Sequence, residues 1–252
     1  MTLFEEIAQS RGKQLLVGGH RGHLSRVREN TLENFAEVAG LGLSHIEIDV
    51  QLSKDQVAMV YHDLDLGERS PLQGRVADYT AAELKAAFSI NTLDECLAWC
   101  RKRELPAALE IKCELLQMAP TMPRLAEEIA RSVEAHDFAE YSFIFGTDYR
   151  TLRQIKRLLP AVHLGLIVPF VPADPVRLME EMEAEIYLCY IDNLCPDLVA
   201  QLHRAGYLVD GSVINSEGRL RQALALGVDL IESDHPEEML PLCRQLEAQT
   251  NR

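Results

Sequence analysis

With 252 residues, of which 47% are hydrophobic and 25% charged, the chain has the size and balance of a globular enzyme built as one α/β barrel or two small domains. Its 25 Lys+Arg against 39 Asp+Glu give a formal charge of −14. That argues against nucleic acid and anionic membrane as general partners, because both want a basic face. The first residues, "MTLFEEIAQSRGK", carry acids early and no apolar run, no stretch approaches a membrane span, and Cys96, Cys100, Cys113, Cys189, Cys195 and Cys243 form no CxxC pair. A cytoplasmic protein without stable membrane insertion is the expectation.

In chain order, short apolar runs alternate with amphipathic helices. "QLLVGG" (14–19) predicts a strand, "TLENFAEVAGLG" (31–42) a helix ending at Gly, and "HIEIDV" (45–50) and "QVAMVYH" (56–62) two further strands. Helices follow in "TAAELKAAF" and "TLDECLAWCRKR", then a strand in "PAALEIK" (106–112) and a helix in "MPRLAEEIARSVEAH". The pattern continues with strands at 141–146 and 161–168, each followed by a helix. Further strands are predicted at 185–191, 206–214 and 227–234, with helices at 196–205 and 217–226. Eight βα positions with strands buried on both faces mean a parallel sheet, and over about 250 residues a TIM (β/α)8 barrel. The competing arrangement is a doubly wound open sheet. Residues 51–91 are the irregular stretch, an enlarged loop after the second strand, and 1–252 are expected to form a single domain.

The chemistry gathers at strand ends. Glu47 and Asp49 are two apart in "HIEIDV", so alternation puts both on one face, which in a barrel is the interior near the C-terminal mouth. Buried carboxylates need a metal, a cation or a proton. In "LEIK", Glu110 and Lys112 repeat the pattern on the next barrel strand. Three converging carboxylates offer oxygen-only ligation, suited to one Mg²⁺ or Ca²⁺. A structural network of the same acids with Lys112 and Arg21 is the alternative. His20, closing the first strand, and His62, closing the extra strand in "VYHD", favour a catalytic site, since imidazole is the natural proton shuttle near neutral pH. His45 is expected inside the barrel, one layer below Glu47, as a core histidine.

In order and spacing, "GGHRG" (18–22), "ENTLENF" (29–35), "HIEIDVQLSKD" (45–55), "VYHD" (60–63), "LEIK" (109–112) and "GVDLIESDHPEEM" (227–239) resemble the glycerophosphodiester phosphodiesterase family over nearly the whole chain. The resemblance implies a TIM barrel that cleaves small-molecule glycerophosphodiesters, with metal assistance, to glycerol 3-phosphate and an alcohol. It puts Glu47, Asp49 and Glu110 on the metal ligands and His20 and His62 on the general acid/base pair. Arg21 and Lys112 fall on phosphate-contacting cations, and Asn30 on the polar residue of ENT, which can equally cap the helix that follows. A related barrel acting on lysophospholipids, and a barrel that binds phosphodiesters without cleaving them, are the rival readings.

Three departures stand out. Arg28 replaces the family's Pro before ENT, and the Arg expected after the second Asp of the 62–80 loop is displaced to Arg69. Gly211 and Ser212 stand where a Trp-Thr pair usually ends the seventh barrel strand. The lost aromatic predicts an enlarged pocket, unless Phe145 or Phe170 fills it; Trp99, on a helix, is expected in the core.

Overall fold

The computed structural model describes residues 3–10, 12–67, 69–113, 118 and 120–250. Helix α1 (Leu3–Ser10) leads into β1 (Leu16–Gly19), α2 (Leu32–Val38) and β2 (Ile46–Leu52). The chain then leaves the barrel through β3 (Ala58–Val60), α3 (Ala81–Ala87) and β4 (Asn91–Thr92), and returns by α4 (Leu93–Arg101) to β5 (Ala107–Ile111). Regular alternation follows: α5 (Met122–Ala135), β6 (Ser142–Gly146), α6 (Tyr149–Leu158), β7 (His163–Ile167), α7 (Pro175–Met182), β8 (Ile186–Leu188), α8 (Pro196–Arg204), β9 (Leu208–Asp210), α9 (Glu217–Leu226), β10 (Leu230–Ser233) and α10 (Pro236–Thr250).

Strands β1, β2, β5, β6, β7, β8, β9 and β10 pair in parallel, and β1 bonds to both β2 and β10, so the sheet closes on itself. This is the TIM barrel, and closure rules out the doubly wound sheet. The extra strand β3 pairs antiparallel with β2, and β4 with β3, as a flap on the barrel. It has its own small core of Met59, Tyr61, Leu66, Val76, Leu84 and Ile90.

Alternation along each strand sorts the side chains. Ile46, Ile48 and Val50 of β2 face the helices, in one large cluster with residues such as Phe35, Leu97 and Ile129. A second cluster fills the barrel: Leu16, Ala108, Phe143, Phe145, Ile186, Leu188, Leu208 and Leu230. Ile7 of α1 joins it, so the N-terminal helix plugs the floor, and Phe4 stacks on His163 with ring centroids 3.5 Å apart. The sequence patterns did not foretell α1, α10 or the two-residue β4. Cys96 and Cys100 are buried on one stripe of α4, and all six cysteines are free thiols.

Candidate active site

The site stands on the C-terminal ends of β1, β2 and β5 and on the loops that follow them. Parity puts His45, Glu47 and Asp49 inside the barrel, as the alternation of "HIEIDV" requires. All three are fully buried. In register, Asp49 lies beside Glu110 of β5, and Lys112 follows two residues later on the same face. One oxygen from each of Glu47, Asp49 and Glu110 can be chosen so that all lie within 4.8 Å of one another. Glu47 Oε1 and Asp49 Oδ1 are buried without a hydrogen-bond donor. Orphaned carboxylate oxygens at this spacing fit a hard divalent cation, which takes oxygen ligands at about 2.0–2.6 Å.

The cations sit among the same acids. Lys112 Nζ donates to Glu110 Oε1 at 2.9 Å and lies 3.3 Å from Asp49 Oδ1. Arg21 donates its backbone N–H to Glu47 Oε2 at 2.8 Å and its Nη1 to Glu29 Oε1 at 3.2 Å, while its Nε lies 3.5 Å from Asp49 Oδ2. The structural network and the candidate ligand set are therefore the same residues. Burial, reinforced by Asp49, Glu232 and Glu110, pushes the Glu47 carboxyl well above the usual range. Burial and then Asp49 push Glu110 up to about 7 against the opposing Lys112. Asp49 goes the other way: burial works to raise it, but Lys112, His62, Arg21 and the Asn30 hydrogen bond outweigh that and hold it below its ordinary value. Burial disfavours the Lys112 charge too, yet Asp49 and Glu110 keep it raised.

Two backbone excursions aim this set. Arg21 (φ 54°) and Asn30 (φ 57°) occupy the left-handed region, uncommon for residues with a Cβ and characteristic of functional sites. Asn30 donates Nδ2 to Asp49 Oδ2 at 2.7 Å and accepts the Asp49 backbone N–H at 3.2 Å. The cap of α2 is instead Thr31, whose Oγ1 accepts from Asn34 N. Asn34 staples the first loop, donating to the carbonyls of His23 and Val27 and accepting from His23 N. Gly22 must lack a Cβ because one would sit 2.0 Å from Asn34 Oδ1.

Each histidine faces a carboxylate through Nδ1. His20 Nδ1 lies 2.5 Å from Asp234 Oδ1, and Asn215 donates to the other Asp234 oxygen. The hydrogen bond from His20 is the chief reason Asp234 is held below its ordinary value. His62 Nδ1 lies 2.6 Å from Asp63 Oδ1, and Arg69 pairs with both Asp63 and Glu29. Burial pulls His62 below its usual value, though Asp49 and Asp63 oppose this. A neutral ring that donates Nδ1–H to a carboxylate leaves its Nε2 lone pair for substrate. Asp234, Asp63 and Asn215 were missed as functional residues in the sequence, although "VYHD" and "ESDHP" display both acids beside the strand ends.

Beneath the carboxylates, His45 Nε2 lies 3.3 Å from Glu232 Oε1 and Nδ1 is 2.9 Å from Ser44 Oγ, as befits a core histidine. The expectation for Gly211 is corrected. A Cβ there meets Leu194, Ile191 and Val228, in the layer between barrel and helices, so this position does not line the mouth. The inward residue is Ser212, whose hydroxyl donates to Asp210 Oδ1 and accepts from Glu232 N. Phe145 packs against Phe143 in the barrel, Phe170 is exposed, and Trp99 packs against the core near Phe35. Arg28 lays its guanidinium over the rings of Tyr61 and Phe88, at 4.8 and 4.4 Å from their centroids. A larger cavity, about 580 Å³, lies near Gly12–Leu15 at the opposite end of the barrel, away from these groups.

The sequence profile of the glycerophosphoryl diester phosphodiesterase family matches residues 20–238, a span that opens on His20 and contains the whole site. The chain is 27% identical to a glycerophosphodiester phosphodiesterase of Caldanaerobacter subterraneus subsp. tengcongensis, over 91% of this chain and 98% of that one. It is 26% identical to a glycerophosphodiester phosphodiesterase of Bacillus altitudinis, over 90% of this chain and 97% of that one. In fold it superimposes, with a TM-score of 0.85 and 22% identity, on an Oleispira antarctica phosphodiesterase solved in complex with the product sn-glycerol-3-phosphate. That match covers 96% of this chain and 99% of the other.

Proposed function

Because this chain belongs to the glycerophosphoryl diester phosphodiesterase family, we propose that it hydrolyses glycerophosphodiesters to glycerol 3-phosphate and an alcohol, with one divalent ion and two histidines. The observation that carries this reading is the pair of histidine–carboxylate couples set around three clustered carboxylates, two of which, Glu47 and Asp49, each keep one buried oxygen without a donor. Glu47, Asp49 and Glu110 would hold Mg²⁺ or Ca²⁺, which when bound neutralises phosphate charge and polarises its oxygens. Arg21 and Lys112 add fixed positive charge against the developing oxyanion. His20 and His62, oriented through Nδ1 by Asp234 and Asp63, act through Nε2. One takes a proton from the attacking water as its oxygen bonds to phosphorus, and the other, protonated on Nε2, gives a proton to the alcohol oxygen as its bond to phosphorus breaks. Asn30 fixes Asp49 from both its side chain and its backbone, so its role is positioning. The free thiols suit a reducing compartment, and we assign the enzyme to the cytoplasm.

The test is release of glycerol 3-phosphate from glycerophosphocholine by chelator-stripped protein, with and without Mg²⁺ or Ca²⁺ restored. Activity is expected to vanish on stripping and return with metal. Release that ignores the chelator removes the metal from the mechanism, and no release with any glycerophosphodiester removes the function.

A further inference from the structure

Glu29 is no metal ligand, acid or base of the proposed reaction, yet it stands between two groups that the reaction uses. Its Oε1 accepts from Arg21 Nη1 at 3.2 Å and also meets Arg69 Nη1. Arg21 reaches on toward Asp49, with Nε 3.5 Å from Oδ2. Arg69 reaches on to Asp63, with Nε 3.2 Å from Oδ2, and the other oxygen of Asp63 lies 2.6 Å from His62 Nδ1. One carboxylate therefore joins the first loop to the flap loop, and a cation assigned to phosphate to a histidine assigned to proton transfer.

The residue is held on both sides. Arg28 before it is stacked on Tyr61 and Phe88, and Asn30 after it donates Nδ2 to Asp49 and its backbone N–H to Arg21 O, the latter at 3.0 Å. The Glu29 side chain is 13% exposed, and with His62, Asp63 and Arg69 it lines one small cavity. Two guanidiniums that meet at one oxygen repel each other, and the carboxylate between them offsets this. Burial works against the Arg21 charge, and Asp49 and then Glu29 outweigh it. For Arg69 the hydrogen bond to Glu29 is the chief influence, and it raises the guanidinium above its ordinary value. A guanidinium carries five N–H donors in a rigid fork, so the one given to Glu29 sets the plane of Arg21 and leaves others for a phosphate.

We propose that Glu29 is a positioning residue for both halves of the reaction: through Arg21 it presents a guanidinium to the substrate phosphate, and through Arg69 and Asp63 it fixes the ring of His62. The inference rests on the function proposed above. The two arms have different kinetic signatures. Loss of the Arg21 arm shows chiefly in KM and in affinity for phosphate, and loss of the His62 arm in kcat.

Glu29→Gln, which removes the charge at nearly constant volume, Arg69→Met and the double variant are compared with the intact protein, with Mg²⁺ supplied, or Ca²⁺ where that supports turnover. Glycerophosphocholine serves for turnover and inorganic phosphate for calorimetric binding, and thermal melts verify folding. Glu29→Gln should raise KM about fivefold, weaken phosphate binding comparably and lower kcat about tenfold. Arg69→Met should lower kcat by about threefold or more and leave KM nearly unchanged. In the Arg69→Met background, Glu29→Gln should still raise KM but leave kcat where it was, because its route to His62 is already cut. Losses of kcat that multiply independently overturn the inference. So does a folded Glu29→Gln protein that keeps wild-type kcat and KM, whether or not its Tm falls. Arg69 is 44% exposed, so its replacement stands as a separate test: unchanged kcat in Arg69→Met overturns the inference even if Glu29→Gln does not fold. If the intact protein cleaves no glycerophosphodiester, the proposed reaction falls, and phosphate affinity alone then decides whether Glu29 positions Arg21.

Discussion

His20 and His62 come from distant parts of the chain, yet each has a carboxylate on Nδ1. Replacing either by Ala should lower kcat by on the order of 10², with the fold retained. Wild-type turnover in a folded His20→Ala protein would contradict the assignment. Asp234→Asn tests the layer behind: kcat should drop by roughly tenfold with KM little changed, because the ring loses its orienting acceptor and not a substrate contact. Glu47 and Asp49 were legible as a pair since alternation alone sets their common face. Asp234 was not, because its meeting with a residue 214 positions away depends on barrel closure. Gly211 was misjudged for a related reason: a motif shows which residue is missing but not which way its backbone faces. An indole at 211 must enter the packed layer of Leu194, Ile191 and Val228. Gly211→Trp is therefore expected to cost about 1–3 kcal/mol of stability through overpacking and to leave the preference between glycerophosphocholine and a lysophospholipid unchanged. A denaturant midpoint and the two kcat/KM values decide between this and a pocket wall.

Among the elements, the flap formed by β3, β4 and α3 holds the second histidine. The sequence marked 51–91 as irregular, and its own apolar cluster explains why: it is a small folded layer and not a slack loop. Its attachment to the first loop runs through Arg28, whose guanidinium meets Tyr61 and Phe88 and donates to Ser89 O at 3.1 Å. Tyr61 precedes His62, so the departure from the family's Pro has a physical use here. Stacked cation contacts of this kind are worth roughly 0.5–2 kcal/mol. Arg28→Met should quicken hydrogen exchange at residues 58–66 and 84–90 and reduce turnover, while exchange in β6–β8 stays as it was. Uniform acceleration over the whole barrel would show that Arg28 serves global stability instead. The missed helix α1 belongs to the same scale. Eight residues give a weak pattern, and the value of Ile7 and Phe4 arises only once a barrel floor exists to be plugged.

At the scale of the whole molecule, closing the barrel packs Glu47, Asp49, Glu110, Asp210 and Glu232 into one interior with Lys112 and Arg21 as nearby cations. The excess of acid makes stability depend on pH in a definite direction. Glu110 is raised to about 7, chiefly by burial, and burial raises Glu47 and Asp210 in the same direction. A carboxyl with a raised folded value keeps its proton in the fold after the unfolded chain has lost it. Stability from these groups is therefore full at pH below the ordinary carboxylate range and falls as pH rises toward the folded value. Metal-free protein should accordingly lose stability from these groups between about pH 5 and about pH 7. A divalent ion on Glu47, Asp49 and Glu110 supplies the missing positive charge and must displace those protons to bind. Adding Mg²⁺ or Ca²⁺ at about 100 times its dissociation constant should stabilise the protein by about 2.7 kcal/mol, or a few degrees in Tm, near neutral pH. Near pH 5 the gain should be much smaller, and Glu47→Gln should diminish it at both. Melting curves with and without metal at the two pH values measure this directly. A metal-induced shift of the same size at both, or one that survives Glu47→Gln intact, places the ion elsewhere than on these three carboxylates.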